Sequence, residues 1–282
     1  MAATILDGRA IAQRLRAELA QQISHLPRPP RLVAITAGGD EGARAYARTQ
    51  RKSAEQVGVD YELRELPDAD QSALLAAITA ANADDTVDGL ILLRPLPEGV
   101  DARTLQAAIA PAKDVDGVSP HNLGLTAQGD DSFAPNTALA AVHLVEQSGA
   151  PVRGAEAVVV GRSVIVGKPA ALMLLDRGAT VTICRTTTRD LPFHTSRADI
   201  LIAAAGSPGL IRGDQIKPGA VVIDVAMNWV EDGGRGHFVG DVVFDEAVQV
   251  AGAITPVPGG VGPVTVTMLM RSVYRAAARR CP

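Results

Sequence analysis

The chain is 282 residues long, with 47% hydrophobic and 21% charged residues and a formal net charge of −4 at neutral pH, enough for two ordinary globular domains or one large one. The negative balance argues against a nucleic-acid surface, and two cysteines, Cys184 and Cys281, are too few for a disulfide framework or a zinc site, so no metal is expected. No apolar run approaches the ~18 residues a membrane span needs, and Asp7 with Arg9 spoils a secretory signal, which points to a cytoplasmic protein without membrane partners.

In chain order, helix and strand patterns alternate. Ile11, Leu15, Leu19 and Ile23 mark a first helix, closed by the prolines between Pro27 and Pro30. Leu32 to Thr36 reads as a strand, Gly38-Gly39 as a turn, and Gly42 to Gly58 as a helix. A strand over Tyr61 to Leu66 and a helix through Leu74, Leu75 and Ile78 follow. Gly89 to Leu93 is apolar throughout, as in a strand buried on both faces. Leu105 to Ile109 make a short helix before the loop Lys113-Asp114-Val115-Asp116-Gly117, and a helix from Thr137 to Gln147 leads into the second half. Repeated αβ units of this kind predict an α/β protein with mostly parallel sheets and helices on both faces.

The second half is organised around Ala157 to Pro169. Ala157 to Val160 reads as a buried strand, Gly161 stops it, and a helix runs from Gly167 to Asp176 with Pro169 in its first turn. A strand, a glycine turn and a helix N-terminus together present backbone N–H groups and a positive dipole end to a diphosphate. The generic G-x-G-x-x-G fingerprint is absent, and taken alone the stretch reads as an ordinary βα turn. The next strand, Thr180 to Cys184, changes that reading. Where NAD enzymes place an acid for the ribose 2′-hydroxyl, this chain has Arg185, Thr186, Thr187 and Thr188, with Arg162 in the turn beside them. Arginine and hydroxyl groups suit a 2′-phosphate, so the predicted cofactor is NADP. Ile200 to Ala204 and Val221 to Asp224 supply further strands ending in ligand-side loops. Thr255 to Pro263, rich in proline and glycine, is expected to be a rigid loop, with a last helix starting at Pro263. Arg271, Arg275 and Arg279 form a row along that helix, favourable to its dipole.

With these motifs on the page, the chain resembles the bifunctional methylenetetrahydrofolate dehydrogenase/methenyltetrahydrofolate cyclohydrolase family, FolD in bacteria. The likeness runs almost end to end. It is carried by Leu6-Asp7-Gly8, Tyr46, Asp88-Gly89 with Pro95-Leu96-Pro97, and Lys113 to Gly117. Beyond these come Val160 to Ser163 with Ile165 to Gly167, Lys217 to Asp224, Gly240 to Val242, and Thr255 to Pro263. The resemblance implies a folate-binding domain over residues 1–138, completed by a C-terminal helix at about 264–282, and a Rossmann-like NADP domain over 139–263. It also implies a homodimer, a folate cleft between the domains, and tetrahydrofolate one-carbon derivatives as substrates. The implied chemistry is hydride transfer from 5,10-methylenetetrahydrofolate to NADP⁺, then hydrolysis of the methenyl product.

Carried over by position, Tyr46 stacks on the pterin or its aryl neighbour, and Asp116 bonds the pterin's amino and ring N–H groups. The backbone of Pro258, Gly259 and Gly262 closes over the folate. Gly161, Arg162, Ser163, Arg185 and Thr186 hold NADP, with Met227 against the nicotinamide end. Taken singly, Tyr46 reads as a core tyrosine, Asp116 as a turn aspartate and the last stretch as a proline-glycine loop. Their order and spacing carry the functional reading.

The departures from the family pattern matter as much. The family lysine four residues after the tyrosine is Gln50 here, and Lys52 is turned about 200° from it around the helix. The family glutamine before the Pro-Leu-Pro turn is Leu93. The family's Pro-Cys-Thr-Pro reads Pro135-Asn136-Thr137-Ala138, and its Asp-Val-Gly reads Asp224-Val225-Ala226. Methenyl hydrolysis needs a base, which a glutamine amide is not, whereas hydride transfer needs only two rings held in reach. The expectation is a dehydrogenase with weak or absent cyclohydrolase activity. The rival readings are an inactive folate- or NADP-binding paralogue and an NADP enzyme acting on another one-carbon pterin.

Overall fold

The β-branched run Arg31–Thr36 forms the central strand of a three-stranded parallel sheet, between Asp60–Glu65 and Gly89–Leu92. Parallel neighbours need crossovers, and the helices Glu41–Val57 and Gln71–Ala83 supply them. Alternation along the strand splits its side chains between two clusters. Leu32 and Ala34 pack with Ala47, Ala54, Val57, Leu269 and Val273, and Val33 and Ile35 pack with Leu74, Ile78, Leu90 and Leu105. Burial on both faces is why this run carries no polar alternation.

The computed structural model describes residues 3–37, 41–233 and 235–280, so the expected turn at Gly38-Gly39 and the tail residue Cys281 lie outside them. These residues fall into two units, 13–136 with 266–280 and 3–12 with 137–265, the divisions lying within the helices Gly8–Ile23 and Val261–Arg280. The sequence reading assigned residues 1–138 to one domain. In the structure residues 3–12 group with 137–265, because Thr4–Ile5 adds a strand beside Ala253–Ile254.

That second unit is built on a six-stranded sheet. Its strand order is Thr4–Ile5, Ala253–Ile254, Val221–Asp224, Ile200–Ala203, Glu156–Val160 and Thr180–Cys184. Every pairing in it is parallel. An antiparallel hairpin, Asn228–Asp232 with Arg235–Val239, stands outside the sheet and was not expected from the sequence. The helices Pro120–Ala127, Leu191–Thr195 and Phe244–Ala247 were also unanticipated. They are at most eight residues long, too short for a helical period to stand out from loop composition.

The final helix starts at Val261 rather than at the expected Pro263. Proline is tolerated in a first turn, where its missing N–H bonds nothing, so it marks the turn and not the first residue. The arginine row does more than face the dipole. Arg275 Nη1 donates to the Ser132 carbonyl at 3.0 Å, and the Arg279 guanidinium lies 4.6 Å from the Phe133 ring centroid.

Candidate active site

In the unit containing residues 13–136, helix Glu41–Val57 buries Ala43, Ala47, Gln50, Ser53, Ala54 and Val57, a stripe at helical spacing. Gln50 is the large polar member of that stripe, 1% exposed. Its Oε1 accepts a 2.9 Å hydrogen bond from the Tyr61 hydroxyl, on the neighbouring strand Asp60–Glu65. Tyr46, one turn earlier, is 42% exposed as a residue. The Tyr46 hydroxyl is pushed up to about 12 by burial, then by the Asp116 carboxylate, with the Gln50 side chain pulling the other way. Lys52 is exposed and lies off the stripe. Leu93, 4% exposed, packs in one cluster with Ala47, Ala54, Val115 and Phe133, and so lies in the core beneath the helix.

The Lys113–Gly117 loop divides its labour. Lys113 Nζ donates to the carbonyls of Ala81, Asn82 and Asp84 at 3.0, 2.7 and 2.7 Å, closing the end of helix Gln71–Ala83. Buried Asp114 accepts from the N–H groups of Gly117, Val118 and Ser119 and from Asn122 Nδ2, which folds the loop on itself. Asp116 takes neither of these roles and bonds to Asn136 instead. Its carboxyl is raised to about 6, by burial first and the Asp114 charge second, against an Asn136 hydrogen bond and the charge of Arg94. Asn136 Nδ2 spans the Val115 carbonyl at 2.9 Å and Asp116 Oδ1 at 3.3 Å, while its Oδ1 accepts from Ser272. The change from the family's cysteine to Asn136 thus produces a tether for Asp116.

The other unit carries the glycine turn. Gly161 has φ 143°, and a Cβ there would collide with the Ala204 carbonyl, so a side chain is excluded twice over. Strands Glu156–Val160 and Thr180–Cys184 are in register with Val160 opposite Cys184, so Gly161 and Arg185 leave the sheet side by side. Arg162, Ser163, Arg185 and Thr186 are all exposed there. Ser163 Oγ accepts from Val166 N at 3.1 Å, ordering the approach to helix Gly167–Asp176. A bare turn against backbone, a helix N-terminus and two exposed guanidinium groups fit a dinucleotide with a 2′-phosphate.

The loops on the same sheet edge are held by two carboxylates. Asp241 accepts from Ala205 N, Gly206 N and Ser207 N at 2.6, 3.0 and 2.6 Å and from Asn228 Nδ2 at 3.0 Å. Asp224 accepts from Ala226, Asp241 and Val242 N–H groups. Its carboxyl is nonetheless raised to about 7, because burial outweighs those donors. Between these anchors Met227 stands 62% exposed. In the stretch from Thr255, Gly260 N closes onto the Pro256 carbonyl at 2.8 Å and the Val257–Pro258 bond is cis. Gly8 packs bare against this loop, since a Cβ there would strike the Gly260 carbonyl.

The structure therefore groups Tyr46, Gln50, Leu93 and Asp116 in one unit. Gly161, Arg162, Ser163, Arg185, Thr186, Met227, Pro258, Gly259 and Gly262 lie in the other. Sequence reasoning missed Tyr61, Asn136 as a tether, and Asp241 as a loop anchor. Tyr61 carried no signal beyond a strand-forming residue, whereas Asp241 sat within a matched motif.

Two family models cover most of the chain. The tetrahydrofolate dehydrogenase/cyclohydrolase catalytic domain matches residues 6–116, and that family's NAD(P)-binding domain matches residues 135–281. The chain is 48% identical to the bifunctional protein FolD of Roseiflexus sp. (strain RS-1), over 99% of this chain and 98% of that protein. Identity is also 48% to the bifunctional protein FolD of Moorella thermoacetica, over 99% and 100% of the two chains. Among solved structures, the bifunctional enzyme FolD of Campylobacter jejuni aligns with a TM-score of 0.95 at 37% identity, covering 99% of this chain and 100% of that one. The Trypanosoma brucei FolD, complexed with NADP cofactor and inhibitor, also gives 0.95, at 36% identity and 99% coverage of both chains. On these matches the chain belongs to the tetrahydrofolate dehydrogenase/cyclohydrolase family, with an α/β fold of mostly parallel sheets and an NAD(P)-binding C-terminal domain.

Proposed function

We propose that this protein is an NADP-dependent 5,10-methylenetetrahydrofolate dehydrogenase of one-carbon metabolism whose cyclohydrolase activity is weak or absent. The observation that carries the second half is Gln50, buried on the helix face where the family has a lysine, its amide engaged with Tyr61. An amide neither takes nor gives a proton near neutral pH, so it cannot activate water at the methenyl carbon. Bound NADP⁺ supplies the hydride acceptor.

The chain's own residues hold the reactants. Tyr46, a partly exposed residue, stacks its ring on an aromatic ring of the folate. Asp116, ionised above about pH 6, accepts hydrogen bonds from the pterin N–H groups. Leu93 supports the Tyr46 helix from the core, and Pro258, Gly259 and Gly262 cover the folate with backbone. Arg162, Ser163, Arg185 and Thr186, with the bare turn at Gly161, bind the phosphates, and Met227 lies against the nicotinamide. Hydride transfer asks no proton of these side chains, so the exchange of lysine for Gln50 spares it. The working form is a cytoplasmic homodimer, by likeness to the family.

Following NADPH absorbance with methylenetetrahydrofolate, and then the methenyl chromophore, tests both halves at once. NADPH formation with a methenyl product that decays at its spontaneous rate is expected. No NADPH formation, or enzyme-driven decay, would overturn the proposal.

A further inference from the structure

We propose that Asn136 is a positioning residue of the folate site, clamped so that its NH₂ group holds one oxygen of Asp116 and keeps that side chain a carboxylate ready for the pterin N–H groups. This rests on the reading that Asp116 takes the pterin.

Asn136 opens helix Asn136–Gln147 and is buried. An amide has two ends of similar shape and opposite hydrogen-bonding sense, and here an acceptor-only group settles which end points where. The Val115 carbonyl lies 2.9 Å from Nδ2, and a carbonyl cannot donate, so the NH₂ end must face it. The opposite end, Oδ1, accepts at 3.1 Å from the buried hydroxyl of Ser272 on helix Val261–Arg280. With both ends fixed, the same NH₂ group also reaches Asp116 Oδ1, at 3.3 Å.

A donor fixed in that place favours the carboxylate over the neutral acid. It works with the charge of Arg94 against burial and the Asp114 charge, which raise the Asp116 carboxyl to about 6. Tyr46, on helix Glu41–Val57, also feels the Asp116 charge, but its hydroxyl stays neutral in this range. A carboxylate has about four acceptor positions. Asn136 takes one, so the partly exposed Asp116 keeps acceptor capacity on both oxygens for the pterin's amino and ring N–H groups. Two of the three Asn136 bonds would suit a purely structural clamp between the Lys113–Gly117 loop and the last helix. The third, to Asp116, carries the functional consequence, and pH separates the two roles.

The test is tetrahydrofolate affinity, titrated from about pH 5.5 to about pH 8.5. The proteins are the unaltered chain, Asn136→Ala, Asn136→Cys and Asp116→Asn, with NADP affinity as the control for folding. Losing the donor raises the pH at which Asp116 ionises, so affinity should fall away at a higher pH. Asn136→Ala is expected to bind about tenfold more weakly near pH 6, the scale of a hydrogen bond to a charged group. Above about pH 8, where Asp116 is ionised in both proteins, the loss should shrink to about threefold or less. Asn136→Cys should shift the same way but less, because a thiol is a weak donor. It decides the matter should the alanine variant fail to fold. A loss equal at every pH would make Asn136 a packing residue and overturn the inference, as would an unmoved profile in the variants. If Asp116→Asn keeps full affinity and the unaltered profile, Asp116 leaves the site, and the reading falls with the inference. If Asp116→Asn binds weakly at every pH while the Asn136 variants keep the unaltered profile, the inference alone falls.

Discussion

Gln50→Lys returns an amine to the face shared with Tyr46, and the structure sets how much hydrolysis that should restore. The site is 1% exposed, so burial disfavours the ammonium form and brings the amine's pKa down toward the range where it acts as a base. Orientation is the weaker part. Leu93 offers no acceptor, and the nearby oxygen is that of Tyr61, placed 2.9 Å from the present amide oxygen. General acid–base catalysis is worth about 10²- to 10⁴-fold, and misplacement by about 1 Å costs about 10²-fold. The difference leaves a gain of roughly tenfold and at most about 100-fold for Gln50→Lys. Gln50→Lys with Leu93→Gln should add about another tenfold by supplying an acceptor, although an amide in that apolar cluster costs about 1–3 kcal/mol of stability. The assay is loss of the methenyl absorbance, corrected for spontaneous hydrolysis, with melting curves for each variant. The reasoning is refuted if the unaltered protein hydrolyses the methenyl compound well and Gln50→Leu does so equally, because another group is then the base.

Two further outcomes are expected. Arg162→Gln and Arg185→Gln should each raise KM for NADP⁺ about tenfold, the low end for an exposed charge-assisted contact, with NAD⁺ kinetics unchanged. Comparison of kcat/KM for the two dinucleotides decides it, and equal losses for both would remove the arginines from the 2′-phosphate. Asp116 has its folded pKa raised to about 6, so its carboxyl is protonated below that value and ionised above it. Folate affinity should be flat above pH 7 and fall about tenfold per unit below about pH 6, with NADP affinity unaffected. In Asp116→Asn it should be weak and flat across the range, and a midpoint near 4 in the unaltered protein would show that burial does not govern this group.

Much of the architecture was legible in the residues because local physics decided it. Arg31–Thr36, Gly89–Leu92 and Glu156–Val160 are apolar runs ended by turns or glycine, and they became parallel strands. Helix Gly167–Asp176 and strand Thr180–Cys184 fell where the pattern placed them, and the absence of a carboxylate after that strand pointed to NADP. What Gln50 cannot do was also plain, since an amide's chemistry does not depend on its neighbours.

Tertiary structure decided the partners. Thr4–Ile5 has no local reason to join Ala253–Ile254; the pairing is made by chain segments some 250 residues apart, and sequence periodicity is blind to it. The roles of Lys113 and Asp114 could not be separated from that of Asp116 until their hydrogen bonds were seen, because all three are charged residues in one short loop. Tyr61 and Gln50 lie on different elements, and their meeting depends on how helix Glu41–Val57 settles against strand Asp60–Glu65. Composition and spacing thus determined which elements form and which chemistry each residue can perform. Which side chains share a hydrogen bond was decided by packing, because a hydrogen bond needs its atoms within about 3 Å and only the folded chain sets that distance.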